Sequence, residues 1–135
     1  MKDLDKALSL RAATLFAGLS ADSLLPMAAL CREVDLHPGQ VLFRAGDIGD
    51  SLYVVVDGHV VVERDGTEIA RLAAGECVGE MAALDWEPRS ATVRAGVPTR
   101  LIRLERNDLM DLLTDSPELV RSLANVLVQR IRKTG

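Results

Sequence analysis

Two charged residues, Glu80 and Arg89, carry the most specific chemistry in this sequence. They lie in a stretch, residues 77–92, whose order indicates a strand end, a glycine turn, a short helix, a proline loop and a returning strand. Ala82 and Ala83 leave the first N–H groups of that helix uncovered, and the helix dipole adds positive potential there, which favours an anion. Arg89 would return beside the helix and offer two parallel donors to a phosphate.

Glu80 is unexpected beside a bare anion, and its presence predicts a ligand with more than a phosphate group. A carboxylate accepts hydrogen bonds, so a ligand that also carries a hydroxyl, such as a ribose 2′-OH, would explain it. Ser90 would add a hydroxyl and an N–H group on the same side. The alternative is a structural ion pair between Glu80 and Arg89 that bridges helix and loop without any ligand.

The middle of the chain, residues 32–105, has the pattern of a β structure. Eight short β-rich runs follow one another at intervals of about 8–12 residues, which is typical of a sandwich or a jelly-roll barrel rather than a βαβ sheet. Asp65-Gly66 separates two of these runs and predicts a tight hairpin. The predicted strands are Glu33–Leu36, Gln40–Phe43, Leu52–Val56, His59–Glu63, Glu68–Leu72, Cys77–Val78, Ala91–Ala95 and Arg100–Leu104.

Residues 1–31 have apolar side chains at helical spacing, which predicts helices before the first strand. Gly18 is expected to divide this zone into two helices, and Ser20 is expected to cap the second. Pro26 comes early enough in that second helix to be tolerated with local distortion only.

Helical spacing returns over residues 106–133. Ser116 and Pro117 predict the start of the last helix, with serine as the cap and proline in the first helical position. The apolar stripe Leu119–Ile131 predicts an intramolecular packing face, and homodimerisation through this stripe is the alternative.

Composition limits the classes of function. A chain of 135 residues with 48% hydrophobic and 27% charged residues fits one globular domain, residues 1–135. A net charge of −4 argues against a general nucleic-acid or anionic-membrane surface. No apolar run approaches the roughly 20 residues of a membrane span. We therefore expect a cytoplasmic protein in which Cys31 and Cys77 are reduced thiols.

The sequence offers no set of catalytic or metal-binding residues. Its two histidines, His37 and His59, lack the His-X-His grouping that a metal site in a jelly roll would need. Neither cysteine has a histidine close in sequence, and no serine lies in a Gly-X-Ser-X-Gly turn. We expect no metal ion and no enzymatic activity.

The stretch from residue 78 to 92 resembles the phosphate-binding cassette of the cyclic-nucleotide-binding domains. Gly79-Glu80-Met81-Ala82 and Pro88-Arg89-Ser90-Ala91-Thr92 match the cassette pattern with its spacing intact. The upstream Pro38-Gly39, the loop at residues 46–50 and Gly58 also fall where that family places barrel turns. The resemblance extends from about Leu15 to Ile131 and implies an eight-stranded antiparallel jelly-roll barrel with N-terminal and C-terminal helices.

The resemblance also implies roles for individual residues. Glu80 would accept a hydrogen bond from the ribose 2′-OH, beside the backbone of Gly79. Arg89 would pair with the cyclic phosphate, together with backbone N–H groups of the cassette. Val62 and Ile69, on the strands that flank the predicted hairpin, would pack on the base. The ligand-binding residues implied are Gly79, Glu80, Met81, Ala82, Ala83, Arg89, Ser90, Ala91, Val62 and Ile69.

These expectations describe a regulatory module that binds cyclic AMP and does not transform it. Ser90 favours cyclic AMP over cyclic GMP, since members that prefer cyclic GMP often have threonine at this position. Occupancy would be reported through the C-terminal helices to a fused effector domain or a partner protein. The alternative is a structural or dimerisation domain of the same fold that has lost nucleotide binding.

Two departures from the family pattern affect the expected function. Bacterial regulators of this family continue into a helix-turn-helix domain, whereas few residues follow Ile131 here, so we expect no DNA binding by this chain. The cassette also has Val78 and Ala83 where many members have bulkier apolar residues. This change would alter the pocket wall but remove no polar contact.

Overall fold

Two four-stranded antiparallel sheets form the centre of the protein. The computed structural model describes residues 1–79 and 87–134, with the backbone alone at Thr14, Val126 and residues 130–134. The described strands are β1 (Arg32–Leu36), β2 (Val41–Phe43), β3 (Ser51–Asp57), β4 (His59–Arg64), β5 (Thr67–Ala73), β6 (Cys77–Val78), β7 (Thr92–Ala95) and β8 (Thr99–Glu105). One sheet has the order β1-β8-β3-β6 and the other β2-β7-β4-β5. This order is that of a jelly roll and confirms the predicted fold class.

The hairpin between β4 and β5 forms where the sequence predicts it. Asp65 and Gly66 have φ angles of 53° and 77°, as a two-residue turn with left-handed central residues requires. The pairing then slips by one residue between Val62 and Glu63, which leaves Ile69 as the extra residue of a bulge on β5.

Strand β3 is buried on both faces and separates two apolar clusters. Tyr53 and Val55 point into the cluster between the sheets, which we call the barrel core. Leu52 and Val54 point to the opposite face and join a cluster with the helices, which we call the helical core. Both clusters are needed to bury the continuous apolar run of this strand. The other buried members of the barrel core are Leu36, Val60, Val78, Val93, Ala95 and Leu101.

The helices pack against the outer face of the sheet that contains β3. They are α1 (Asp3–Ala12), a short 3₁₀ helix (Thr14–Phe16), α2 (Ala21–Leu30), α3 (Arg106–Asp115) and α4 (Pro117–Thr134). The predicted caps are confirmed, since Ser20 Oγ accepts from the Ser23 N–H at 3.1 Å and Ser116 Oγ accepts from the Leu119 N–H at 3.2 Å. No helix in the described segments combines the length and the apolar character that a membrane crossing requires.

The break in the N-terminal helical zone differs from the prediction. The first helix ends at Ala12, well before Gly18, and a 3₁₀ turn follows. Leu15 and Phe16 are buried in the helical core, and the carbonyl of Leu15 accepts a 2.6 Å hydrogen bond from Ser122 of α4. Packing against α4 therefore ends the first helix earlier than the glycine signal indicated.

We expect the docking of α4 to depend on one face of the helix. Leu119 is 2% exposed, whereas its neighbour Val120 is 48% exposed. Leu119→Ala should lower the free energy of unfolding by roughly 2–5 kcal/mol because it opens a cavity in the helical core. Val120→Ala, the matched control, should change it by less than about 0.5 kcal/mol. Urea denaturation measures both, and equal effects would contradict the docking described here.

Candidate functional site

Arg89 is held in place by the loop that joins β2 to β3. Its backbone N–H donates to the carbonyl of Asp47 at 2.7 Å, and its own carbonyl accepts from the Gly46 N–H at 2.8 Å. An isolated antiparallel bridge between Ile48 and Pro88 lies directly beside these bonds. The loop thus fixes the backbone of Arg89 immediately before β7 begins, and the side chain is aimed from a rigid point.

The guanidinium of Arg89 is buried, with 5% of the residue exposed. Nη1 donates to the carbonyl of Gly79 at 2.8 Å, and Nη2 donates to the carbonyl of Ser51 at 2.7 Å. The Cζ atom lies 4.1 Å from the centre of the Phe43 ring, which is a cation–π distance. In the part of the chain that the structure describes, no carboxylate lies within ion-pair distance of this cation.

Burial sets the electrostatics of this arginine. Removal of the guanidinium from water is the main cause that lowers the pKa of Arg89, and the positive charge of Arg106 lowers it further. The pKa of Arg89 is raised by interactions with Tyr53, Asp50 and Asp47, but these do not cancel the effect of burial. An arginine remains protonated at neutral pH because its ordinary pKa is so high. The site therefore presents a desolvated positive charge that an anion would stabilise.

Glycine is the only residue type that fits at position 79, beside this guanidinium. Its φ angle is +75°, a left-handed conformation that favours glycine. A Cβ atom built at this position would lie 2.2 Å from Nη1 of Arg89 and 3.4 Å from Cε2 of Phe43. The glycine at the start of the predicted cassette is therefore required by the approach of Arg89 to its backbone.

Four further predicted site residues lie within the described segments. Ala91 is 6% exposed, whereas Ser90 has an exposed side chain and a carbonyl that accepts from Arg64 Nε at 3.2 Å. Val62 is partly buried and packs against the barrel core. Ile69, at the bulge on β5, exposes 48% of its surface. Glu80, Met81, Ala82 and Ala83 lie outside the described residues.

Phe43 and Ser51 belong to the surroundings of Arg89 although the sequence did not indicate them. Phe43 reaches the site because β2 pairs with β7, where Phe43 lies opposite Val93. Ser51 contributes its backbone carbonyl. Because every residue type has this group, the sequence could not indicate its role. The aromatic character of Phe43 is a signal that a search for cation–π partners of Arg89 could have used.

The described residues show no cluster suited to a metal ion. No group of three or more histidine, cysteine, aspartate or glutamate side chains comes together within residues 1–79 and 87–134. Cys31 is buried, and burial raises the pKa of its thiol to about 12, so this thiol stays protonated and unreactive at neutral pH.

A family model for the cyclic nucleotide-binding domain matches residues 33–116 of this chain. The chain belongs to this family. The matched region runs from β1 to the end of α3 and includes the site around Arg89. The resemblance inferred from the cassette residues is confirmed.

Relatives and solved structures agree with this membership. The chain is 28% identical over 128 residues to a CRP-like cAMP-activated global transcriptional regulator of Mycobacterium tuberculosis, and covers 91% of itself and 57% of that protein. It is 32% identical over 119 residues to a cyclic nucleotide-gated potassium channel of Rhizobium etli, with 88% of this chain and 33% of the channel covered. The chain thus spans little more than half of one relative and a third of the other.

Two solved structures have the same fold at useful sequence identity. The N-terminal domain of a transcriptional regulator from Streptomyces coelicolor A3(2) superposes with a TM-score of 0.82 at 37% identity, covering 93% of this chain and 92% of that one. The regulatory domain of Toxoplasma gondii PKA, crystallised with cAMP, superposes with a TM-score of 0.74 at 28% identity. That second match covers 82% of this chain and 44% of the other.

We expect Gly79→Ala to disturb the site more than a comparable glycine substitution elsewhere. Gly39 also has a left-handed φ, +81°, but a Cβ there would meet nothing within 4 Å. Gly39→Ala should lower the free energy of unfolding by roughly 1–2 kcal/mol for the backbone alone. Gly79→Ala should lower it by about 1.5–3 kcal/mol more, because the charged hydrogen bond from Arg89 is lost. Differential scanning calorimetry measures both; equal losses would show that Arg89 does not constrain residue 79.

Proposed function

We propose that this chain binds a 3′,5′-cyclic nucleotide, with cyclic AMP as the preferred ligand. The observation that carries the proposal is the buried guanidinium of Arg89, whose hydrogen-bond acceptors among the described residues are neutral carbonyls. A buried cation is costly unless it is paired, and a ligand phosphate would supply the missing negative charge. Family membership makes the cyclic phosphodiester of a nucleotide the matching anion.

The remaining polar contacts would come from the cassette. Arg89 would pair with an exocyclic phosphate oxygen, and backbone N–H groups at Ala82, Ala83 and Ala91 would add donors to the same group. Glu80 would accept the hydrogen bond of the ribose 2′-OH. Gly79 helps to position both Arg89 and Glu80. Its carbonyl accepts a hydrogen bond from Nη1 of Arg89, and it directly precedes Glu80 in the chain.

The base would lie over the sheet that contains β4 and β5. Val62 is partly buried at the edge of the barrel core, and Ile69 has an exposed apolar side chain that a base would cover. Ser90 in place of threonine favours adenine. The Mycobacterium tuberculosis regulator is cAMP-activated and the Toxoplasma gondii regulatory domain was crystallised with cAMP, and similarity to these two proteins supports the same preference.

Occupancy would be transmitted through α3 and α4 to a fused effector domain or a partner protein. Support comes from the helical core, in which α3 and α4 share buried contacts with β3 and the N-terminal helices. This shared core also supports one domain over residues 1–135.

A second candidate, a structural or dimerisation domain without ligand, is favoured by the exposed Val120 and Val128 on α4.

Arg89→Lys should weaken cyclic AMP binding by about a hundredfold or more. A lysine ammonium keeps the charge, but it has no planar fork with which to hold two carbonyls and a phosphate at once. Charged hydrogen bonds contribute roughly 1.5–3 kcal/mol each, and about 2.7 kcal/mol corresponds to a hundredfold change. Isothermal titration calorimetry measures the affinity. Arg94→Lys is the matched control, since Arg94 pairs with Glu63 at 2.6 Å on a partly exposed surface and should change affinity less than about twofold.

Two outcomes of this experiment would contradict the proposal in different ways. Undiminished affinity in a folded Arg89→Lys variant would remove the phosphate role of this residue. Ligand at 100 times its dissociation constant stabilises a protein by about 2.7 kcal/mol. A wild-type chain that shows neither heat of binding nor a shifted melting temperature with cyclic AMP would favour the domain without ligand.

Glu80→Ala should reduce the preference for a ribose over a 2′-deoxyribose ligand. The wild-type chain is expected to bind cyclic AMP about tenfold or more tightly than 2′-deoxy cyclic AMP, because a hydrogen bond to a carboxylate contributes roughly 1.5–3 kcal/mol. The variant lacks the acceptor and should bind the two ligands with similar affinity. Competition binding with both nucleotides measures the ratio, and an unchanged ratio would contradict the sugar contact.

A further inference from the structure

Strand β2 contains a bulge immediately before Phe43. Val41 pairs with Arg94 of β7, whereas Phe43 pairs with Val93, so two steps along β2 match a single step along β7. Leu42 is therefore the extra residue of a β-bulge. Bulges are frequent next to functional sites, where they redirect a side chain.

The bulge brings Phe43 to the inner face of the barrel. Successive residues of a strand point to opposite faces, so regular alternation would place Val41 and Phe43 on the same side of the sheet. Val93 belongs to the barrel core, and Phe43, its partner, packs against that core. The ring centre of Phe43 lies 6.2 Å from that of Tyr53, with an angle of 34° between the planes. Strand pairing and the Tyr53 ring thus hold Phe43 in place.

The two carbonyl acceptors of Arg89 leave one motion of its guanidinium unrestrained. Nη1 donates to Gly79 and Nη2 donates to Ser51, so both bonds are made by the two terminal nitrogens. The group can still tilt about the line that joins these two nitrogens. The Phe43 ring opposes this tilt, because Cζ lies 4.1 Å from the ring centre and a cation is attracted to the face of an aromatic ring.

The tilt determines where the free donors of Arg89 point. A guanidinium has five N–H donors in one plane. Two of them bind the carbonyls of Gly79 and Ser51, and the other three make no hydrogen bond to the described residues. A phosphate binds most strongly to donors that are already aligned, because less order must then be imposed on binding.

We propose that Phe43 is a positioning residue that sets the plane of the Arg89 guanidinium and thereby raises the affinity for a cyclic phosphodiester. The proposal rests on the proposed function, because it requires the anion to bind at Arg89. A ring that only compensated the buried charge would leave more attraction for the phosphate once it was removed, so affinity would stay the same or rise. Loss of a positioning ring lowers affinity. The sign of the change therefore separates the two roles.

Replacement of Phe43 by pentafluorophenylalanine tests the proposal. This residue nearly keeps the shape of the ring, but its face is electron-poor and no longer attracts a cation. Isothermal titration calorimetry should show cyclic AMP affinity about fivefold or more below that of the wild-type chain. Phe43→Leu, which removes the ring, should weaken binding at least as much. Phe43→Tyr keeps an electron-rich face and should bind within about twofold of the wild-type chain.

Val60→Ala is the matched control for loosening of the barrel core. Val60 is fully buried in this core and pairs with Ala95, at the end of β7 that lies farther from Arg89 along the chain. The variant should have a lower melting temperature but should bind cyclic AMP within about twofold of the wild-type chain. If Val60→Ala weakens binding as much as Phe43→Leu, general packing carries the effect and the role of Phe43 is overturned.

The pentafluorophenylalanine variant decides the matter even if Phe43→Leu fails to fold, since it retains the apolar volume of the side chain. Unchanged or tighter cyclic AMP binding by this variant would overturn the positioning role and leave the proposed function intact. A wild-type chain that does not bind cyclic AMP would overturn the proposed function and the positioning role together. The two failures are therefore distinguishable.

Discussion

The burial of one guanidinium group constrains the whole site. Removing the charge of Arg89 from water is unfavourable, and the fold compensates with two backbone carbonyls and the face of Phe43. Each compensating group comes from a different part of the chain: Phe43 from β2, Ser51 from β3 and Gly79 from the end of β6. The jelly-roll order brings these parts together, so the barrel topology is itself a requirement for holding this charge away from solvent.

The loop between β2 and β3 has an unusual position between two buried cations. Loops of this length commonly lie on the surface with few fixed contacts. Here its backbone carbonyls serve as acceptors for Arg89 on one side and Arg106 on the other. Hydrogen bonds to both arginines therefore fix its backbone between the start of β7 and the start of α3.

Much of the fold followed from local signals, because turn residues and alternating apolar residues act over short distances. The eight predicted runs match the eight described strands to within one or two residues, and the serine caps of α2 and α4 lie where expected. The prediction that the break between the first two helices lies at Gly18 was wrong. Packing of Phe16 in the helical core, a long-range effect, ends the first helix earlier. In the site, Arg89 and Gly79 carried recognisable spacing. The contact with Phe43 and the acceptor carbonyl of Ser51 depend on strand pairing, which local sequence does not encode.

Strand β3 has no solvent-facing side over most of its length, since Tyr53 and Val55 enter one cluster while Leu52 and Val54 enter the other. Removing the helices would expose Leu52 and Val54 to solvent, and opening the barrel would expose Tyr53 and Val55. Neither half can therefore melt without exposing an apolar surface that belongs to its neighbour. A thermal scan of this chain is expected to show a single cooperative transition rather than separate steps for the strands and the helices.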